Sequence, residues 1–154
     1  MQKKQINILV TLNENYVPYL NVMLISLLSS NADCYFDVYL LHSSISDKAV
    51  EGTRKILKQS GEFHMVKATD IGLSDAPTTA RYPQEIYYRI FAAKYLPDCL
   101  DRILYLDPDI IVNGSVKELY DINLDNKTTS LAFTDISSFL VLNTSPSTPI
   151  ISPM

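Results

Sequence analysis

Apolar and polar positions along this chain switch between two periods, and the switches mark its elements. Ile6 to Leu12 is apolar on both faces, as a central parallel strand is. The polar loop Asn13-Glu14-Asn15-Tyr16 follows, and Pro18 suits the first turn of a helix. Leu20, Met23, Leu24, Leu27 and Leu28 then share one helical face, which Asn31 and Asp33 end. Tyr35 to Leu41 reads as a second strand, rich in aromatic and branched side chains. Ser46 can cap a second helix that buries Ala49, Val50, Thr53, Ile56 and Leu57, with Gly61 as its stop. Phe63 to Val66 is a weaker third strand. Asp70 to Pro83 has no period and reads as a long loop, a length that often goes with function. Helical spacing returns from Gln84 to Leu96 through Ile86, Ile90 and Ala93, until Pro97 stops it.

The second half of the pattern is shorter-stepped. Arg102 to Leu106 is an apolar strand, and Asp107-Pro108-Asp109 comes directly after it. Ile110 to Val112 is expected to resume extended structure before the turn signal Asn113-Gly114. Ser115 and Glu118 have capping-box spacing for a short helix through Tyr120. Ser130 to Thr134 and Phe139 to Leu142 are two further strands. Strands alternating with helices predict a mainly parallel, three-layer α/β domain over residues 1–143. Residues 144–154, TSPSTPIISPM, have no period and are expected to be a disordered Pro/Ser/Thr-rich tail.

Composition narrows the picture. With 154 residues, 47% hydrophobic and 19% charged, the chain can bury a core. Its net charge of -4 and lack of a basic run argue against nucleic acid as a partner. Cys34 and Cys99 are isolated from each other, which fits a reduced, cytoplasmic protein. The start MQKKQINILVTL makes a poor signal peptide and a better strand, and no apolar stretch reaches membrane-spanning length.

Candidate chemistry gathers at one place. A chain with this many aspartates holds about one D-x-D tripeptide by chance, so the tripeptide says little by itself. Its position says more, because ligands of open α/β sheets collect at the carboxyl ends of the strands. Two carboxylates held there across a stiff Pro108 repel each other unless a cation lies between them. Hard oxygen donors suit Mg2+ or Mn2+. A simply hydrated polar turn explains the same residues. Gly52, Gly61, Gly72 and Gly114 make neither a dinucleotide fingerprint nor a P-loop, and no serine sits in a nucleophile elbow. His42 and His64 are too far apart for a local metal pair, and each reads as an ordinary strand-end or surface histidine.

Two segments carry a family resemblance. INILVTLNENYVPYLNVMLISLLSSN, from Ile6, resembles the first strand, loop and helix of family 8 glycosyltransferases. YPQEIYYRIFAAKYLPDCLDRILYLDPDIIVNGSVKELYDINL, from Tyr82, is similar to that family's central signature. The resemblance covers residues 6 to about 135 and implies a Rossmann-like GT-A fold that binds a UDP-sugar, UDP-glucose or UDP-galactose, with Mn2+ or Mg2+. It implies that Asp107 and Asp109 hold the metal and that Asn13, Asn15 and Tyr16 meet the uracil and ribose. Many relatives carry an aspartate where Asn13 stands. Tyr16 could equally plug the start of the helix. Arg89 matches the helix arginine near the donor sugar and diphosphate and is the expected catalytic residue; a salt bridge to Glu85 is its alternative. The implied reaction is retaining transfer of a hexose to the hydroxyl of a glycan or lipid-linked acceptor. The metal acts as Lewis acid and the sugar carbon passes through an oxocarbenium-like state. The implied location is the cytoplasm, with contact at the inner membrane face compatible with it.

The chain departs from the family after the D-x-D. Relatives continue into an Asn-Ser/Ala-Gly segment, a Gln/Asp pair beneath the sugar and a late histidine ligand. Here both histidines come earlier, and FLVLNT (139–144) arrives too soon after FTDIS. The expectation is a truncated chain that transfers sugar slowly or not at all. Two other readings stay open: a non-catalytic nucleotide-binding remnant, and a nucleotidyltransferase-like enzyme.

Overall fold

A computed structural model describes residues 3–68, 88, 92–123, 129–134 and 137–143. Among the described residues six strands form one sheet: β1 (Lys4–Thr11), β2 (Cys34–His42), β3 (Gly61–Lys67), β4 (Arg102–Leu106), β5 (Thr129–Thr134) and β6 (Ser137–Asn143). Their order is β3-β2-β1-β4-β6-β5. The first four run parallel, while β6 lies antiparallel to β4 and pairs with β5. The expected mainly parallel α/β sheet is therefore present.

The period of two along each strand divides the core. Ile6, Ile8, Val10, Phe36, Val38, Leu40, Leu104 and Leu106 face one side, where they meet α1 (Val17–Ser30) and α2 (Glu51–Leu57). Leu9, Tyr39, Leu41, Ile103 and Tyr105 face the other and pack with Tyr88, Ala92, Leu96 and Leu100. These are the three layers. In α1 the buried residues Leu20, Met23, Leu24 and Leu27 lie on the stripe expected from spacing, with Pro18 in the first turn, where its missing N–H costs nothing. Thr53 in α2 donates to Asn21 Oδ1 at 2.7 Å and so ties the two helices together.

Three expectations are corrected. Gly61 does not stop a helix: α2 ends at Leu57, and Gly61 begins β3, where a Cβ would lie 2.1 Å from the carbonyl oxygen of Phe36. Ile110 to Val112 makes no strand pairing. Val112 N instead donates to Ser26 Oγ (2.9 Å), and Ser30 Oγ donates to Val112 O (3.0 Å), so α1 hydroxyls take the place of a ladder. The short helix α3 (Lys117–Tyr120) has Val116 at its N-cap without a side-chain cap bond, while Ser115 Oγ accepts from Lys117 N at 3.3 Å. The capping box fails because Ser115 stands one residue too early.

α3 closes the amino end of the β1–β4 seam. Tyr120 Oη accepts from Asn7 N and Asn7 Nδ2 (3.4 and 3.1 Å) and donates to Arg102 O (3.1 Å). Arg102 donates to the carbonyls of Tyr120 and Ile122. The tail 144–154 and most of the predicted 84–96 helix lie outside the described residues.

Candidate nucleotide-sugar site

The sheet's order reverses between β1 and β4: β2 and β3 follow on one side of β1, whereas β4 lies on the other. Such a switch point opens a crevice beyond the carboxyl ends of the two strands. β1 ends at Thr11 and β4 at Leu106, paired in parallel through Ile8 with Leu104 and Leu9 with Tyr105. The loop after β1 and the acidic turn after β4 thus leave the sheet side by side.

The loop after β1 is organised by its own amide. Asn13 caps a 3-10 turn, Glu14–Tyr16, by accepting from Asn15 N at 3.1 Å. Glu14 accepts from Ser46 N and Ser46 Oγ, both at 3.2 Å, which anchors the turn to the segment after β2. Tyr16 is the N-cap of α1; it is 43% exposed, and its ring lies 5.5 Å from that of Tyr19. An exposed ring beside a crevice is free to stack on a planar ligand.

The acidic turn is built differently. Asp107 is half-buried, Pro108 buried and Asp109 exposed. Tyr105 Oη donates to Asp107 Oδ1 at 2.6 Å, in the range of a charge-assisted O–H···O⁻ bond. Thr11 Oγ1, at the end of β1, lies 3.5 Å from the same phenol oxygen. Two carboxylates, one held and one open, are a hard-oxygen donor set that leaves positions for phosphate oxygens, as Mg2+ and Mn2+ require. The residues present fit such an ion. Arg89 lies outside the described residues.

A second acidic group sits elsewhere. Asp37, Glu62 and His64, on β2 and β3, bring their ligand atoms within 4.8 Å of one another. Strand alternation could have suggested that Glu62 and His64 share a face, but pairing them with Asp37 requires the β2–β3 register. Gln5 donates to Asp37, and His64 stacks on Tyr39 with ring centres 4.6 Å apart. β3 is three strands from β4, about 14 Å at ordinary strand spacing, so this trio is not part of the acidic turn. His42 is structural: its Nδ1 accepts from Ile45 N at 2.9 Å. Burial, and to a smaller degree Lys67, push the imidazole below its ordinary pKa.

The parallel sheet with its β1–β4 switch point has the GT-A architecture, and solved structures agree on the fold. The galactosyltransferase LgtC, solved with donor and acceptor sugar analogues, superposes with a TM-score of 0.77 at 20% identity, over 90% of this chain and 58% of its own. The glycosyltransferase GlyE of Streptococcus pneumoniae TIGR4 gives 0.69 at 18%, over 92% of this chain and 34% of its own. The sequence profile of glycosyl transferase family 8 matches residues 7–147, and the chain belongs to that family. It is 25% identical over 121 residues to a lipopolysaccharide 1,2-glucosyltransferase of Escherichia coli K12, covering 78% of this chain and 36% of that protein. It is 28% identical over 118 residues to a lipopolysaccharide 1,3-galactosyltransferase of Salmonella typhimurium, covering 76% of this chain and 35% of that protein. The chain thus spans about a third of the length of these curated relatives.

Proposed function

We propose that this chain binds the UDP-sugar donor of a retaining hexosyltransferase through a divalent metal, Mn2+ or Mg2+, held by Asp107 and Asp109. The observation that carries this is the β1–β4 switch point, which sets the Asn13–Tyr16 loop beside the acidic turn in a family 8 chain. In this reading Asn13 and Asn15 offer polar contacts to the base and ribose, and Tyr16 offers its exposed ring to the uracil. Arg89 is assigned to the diphosphate and donor sugar. When bound, the metal supplies Lewis-acid stabilisation of charge on the departing diphosphate.

The lipopolysaccharide glucosyl- and galactosyltransferases among the relatives favour UDP-glucose or UDP-galactose as donor and a glycan or lipid-linked acceptor. The proposed location is the cytoplasm. No helix among the described residues is long and apolar enough to cross a membrane. The test is release of UDP from UDP-glucose and UDP-galactose with Mn2+ and a lipopolysaccharide acceptor. Slow release or none is expected from this chain, and whatever release occurs from either donor should depend on metal and be lost in Asp107→Asn. Turnover that Asp107→Asn leaves intact would refute the assignment.

A further inference from the structure

We infer that Tyr105 is a positioning residue for the metal: its phenol holds Asp107 in the orientation in which the carboxylate takes a divalent cation. This deepens the proposed site and rests on it. Tyr105 is the penultimate residue of β4, and Asp107 stands directly after the strand's last residue, Leu106, within reach of the phenol. The phenol is buried, its ring packing in the core with Leu9 and Ile103, so it cannot swing away. Its proton goes to Asp107 Oδ1 at 2.6 Å. An ionised carboxylate only accepts, so the direction of this bond is fixed. The phenol oxygen is left as acceptor toward Thr11 Oγ1, 3.5 Å away on β1.

The consequence is a carboxylate with one oxygen engaged. Among the described residues Oδ2 accepts no hydrogen bond, and it is the atom left for the cation. A free aspartate after a strand end would rotate about its side-chain torsions and lose that freedom on binding metal. Tyr105 removes the freedom beforehand, and it does so from a rigid strand rather than from the loop. The phenol also spans the seam to Thr11, two residues before the loop expected to meet the base. The phenol on β4 thus links the metal end of the site to β1, the strand that leads into the nucleotide end. Outer groups that orient ligands in this way typically account for about 10–100-fold in metal affinity.

The test is Mn2+ titrated into the intact chain, with and without UDP, and read from the electron paramagnetic resonance of the free ion. The chains are wild type, Tyr105→Phe, Asp107→Asn and Asp98→Asn. Phe keeps the ring in the core and removes only the hydroxyl, so the fold is retained; circular dichroism and the thermal midpoint without metal report on it. The expected result is Mn2+ binding about tenfold weaker in Tyr105→Phe, lost in Asp107→Asn and unchanged in Asp98→Asn, which alters an exposed loop before β4. A lower midpoint with unchanged Mn2+ affinity in Tyr105→Phe would show a purely structural tyrosine and overturn the inference. The proposed site would still stand if Asp107→Asn lost binding. Unchanged affinity in Asp107→Asn would overturn the site itself.

Discussion

Replacing each of three glycines by alanine should change stability with opposite signs, and the local geometry sets both sign and size. At Gly61 a Cβ would lie 2.1 Å from Phe36 O, 3.0 Å from Phe36 C and 3.3 Å from a methyl of Leu57. An ordinary carbon–oxygen contact is about 3.3–3.6 Å, so the overlap exceeds about 1 Å and its target is backbone. β3 is an edge strand and could move outward, but Phe36 N is bonded to Ser60 O at 2.9 Å, one residue away. Moving β3 would strain or break that bond. Overpacking costs about 1–3 kcal/mol and the bond about 1 kcal/mol, while the stiffer unfolded chain returns about 0.4–1 kcal/mol. The net is a loss of about 2–3 kcal/mol. At Gly52, in the first turn of α2, the nearest atom to an added Cβ is Asn21 Nδ2 at 3.8 Å, an ordinary contact. Alanine there should stabilise by about 0.5–1 kcal/mol through helix propensity. At Gly114 nothing lies within 4 Å, and alanine should be neutral or slightly stabilising. Urea unfolding of the three variants is the assay, with the Gly61→Ala midpoint lower by about 1–2 M. A Gly61→Ala chain as stable as wild type, or a destabilised Gly52→Ala chain, would refute the reasoning.

Leu24→Ala, in the fully buried stripe of α1, should cost about 2–5 kcal/mol in the same assay. Ser26→Ala should cost about 1 kcal/mol and raise the amide exchange rate of Val112, whose N–H it leaves unpaired. Neutral His42 is favoured by burial and accepts from Ile45, so its folded pKa lies below its unfolded one. Its contribution is therefore complete above the unfolded value of about 6.5 and is lost as pH falls below it toward the folded value. His42→Asn should flatten that part of the stability–pH curve; an unchanged slope in the variant would contradict this role.

Much of the fold could be read from periodicity alone. β4 was legible to the residue, and α1 to within a residue or two, because long apolar stripes and strand runs report burial directly. What failed was decided by contacts distant in sequence. Gly61 carries a helix-stop signal, yet the backbone of Phe36 determines its role. Ile110 to Val112 reads as a strand, but two α1 serines satisfy its backbone without a neighbouring strand. Of the site, the acidic turn and the polar loop were visible as residues after strand ends. Their adjacency follows from the pairing of β1 with β4, which the family resemblance implies although spacing does not encode it. Tyr105 showed only as one more apolar position in a strand, since its partners Thr11 and Asp107 meet it only after β1 and β4 pair. The Asp37–Glu62–His64 trio escaped for the same reason.

The central claim is that the two carboxylates after β4 meet a diphosphate through a metal. Calorimetric titration of UDP into the chain, with Mn2+ and again with EDTA, tests it most directly. Binding with Mn2+ is expected, with an affinity at least tenfold weaker in EDTA, about 1.4 kcal/mol or more. Equal affinity for UDP under both conditions would contradict it.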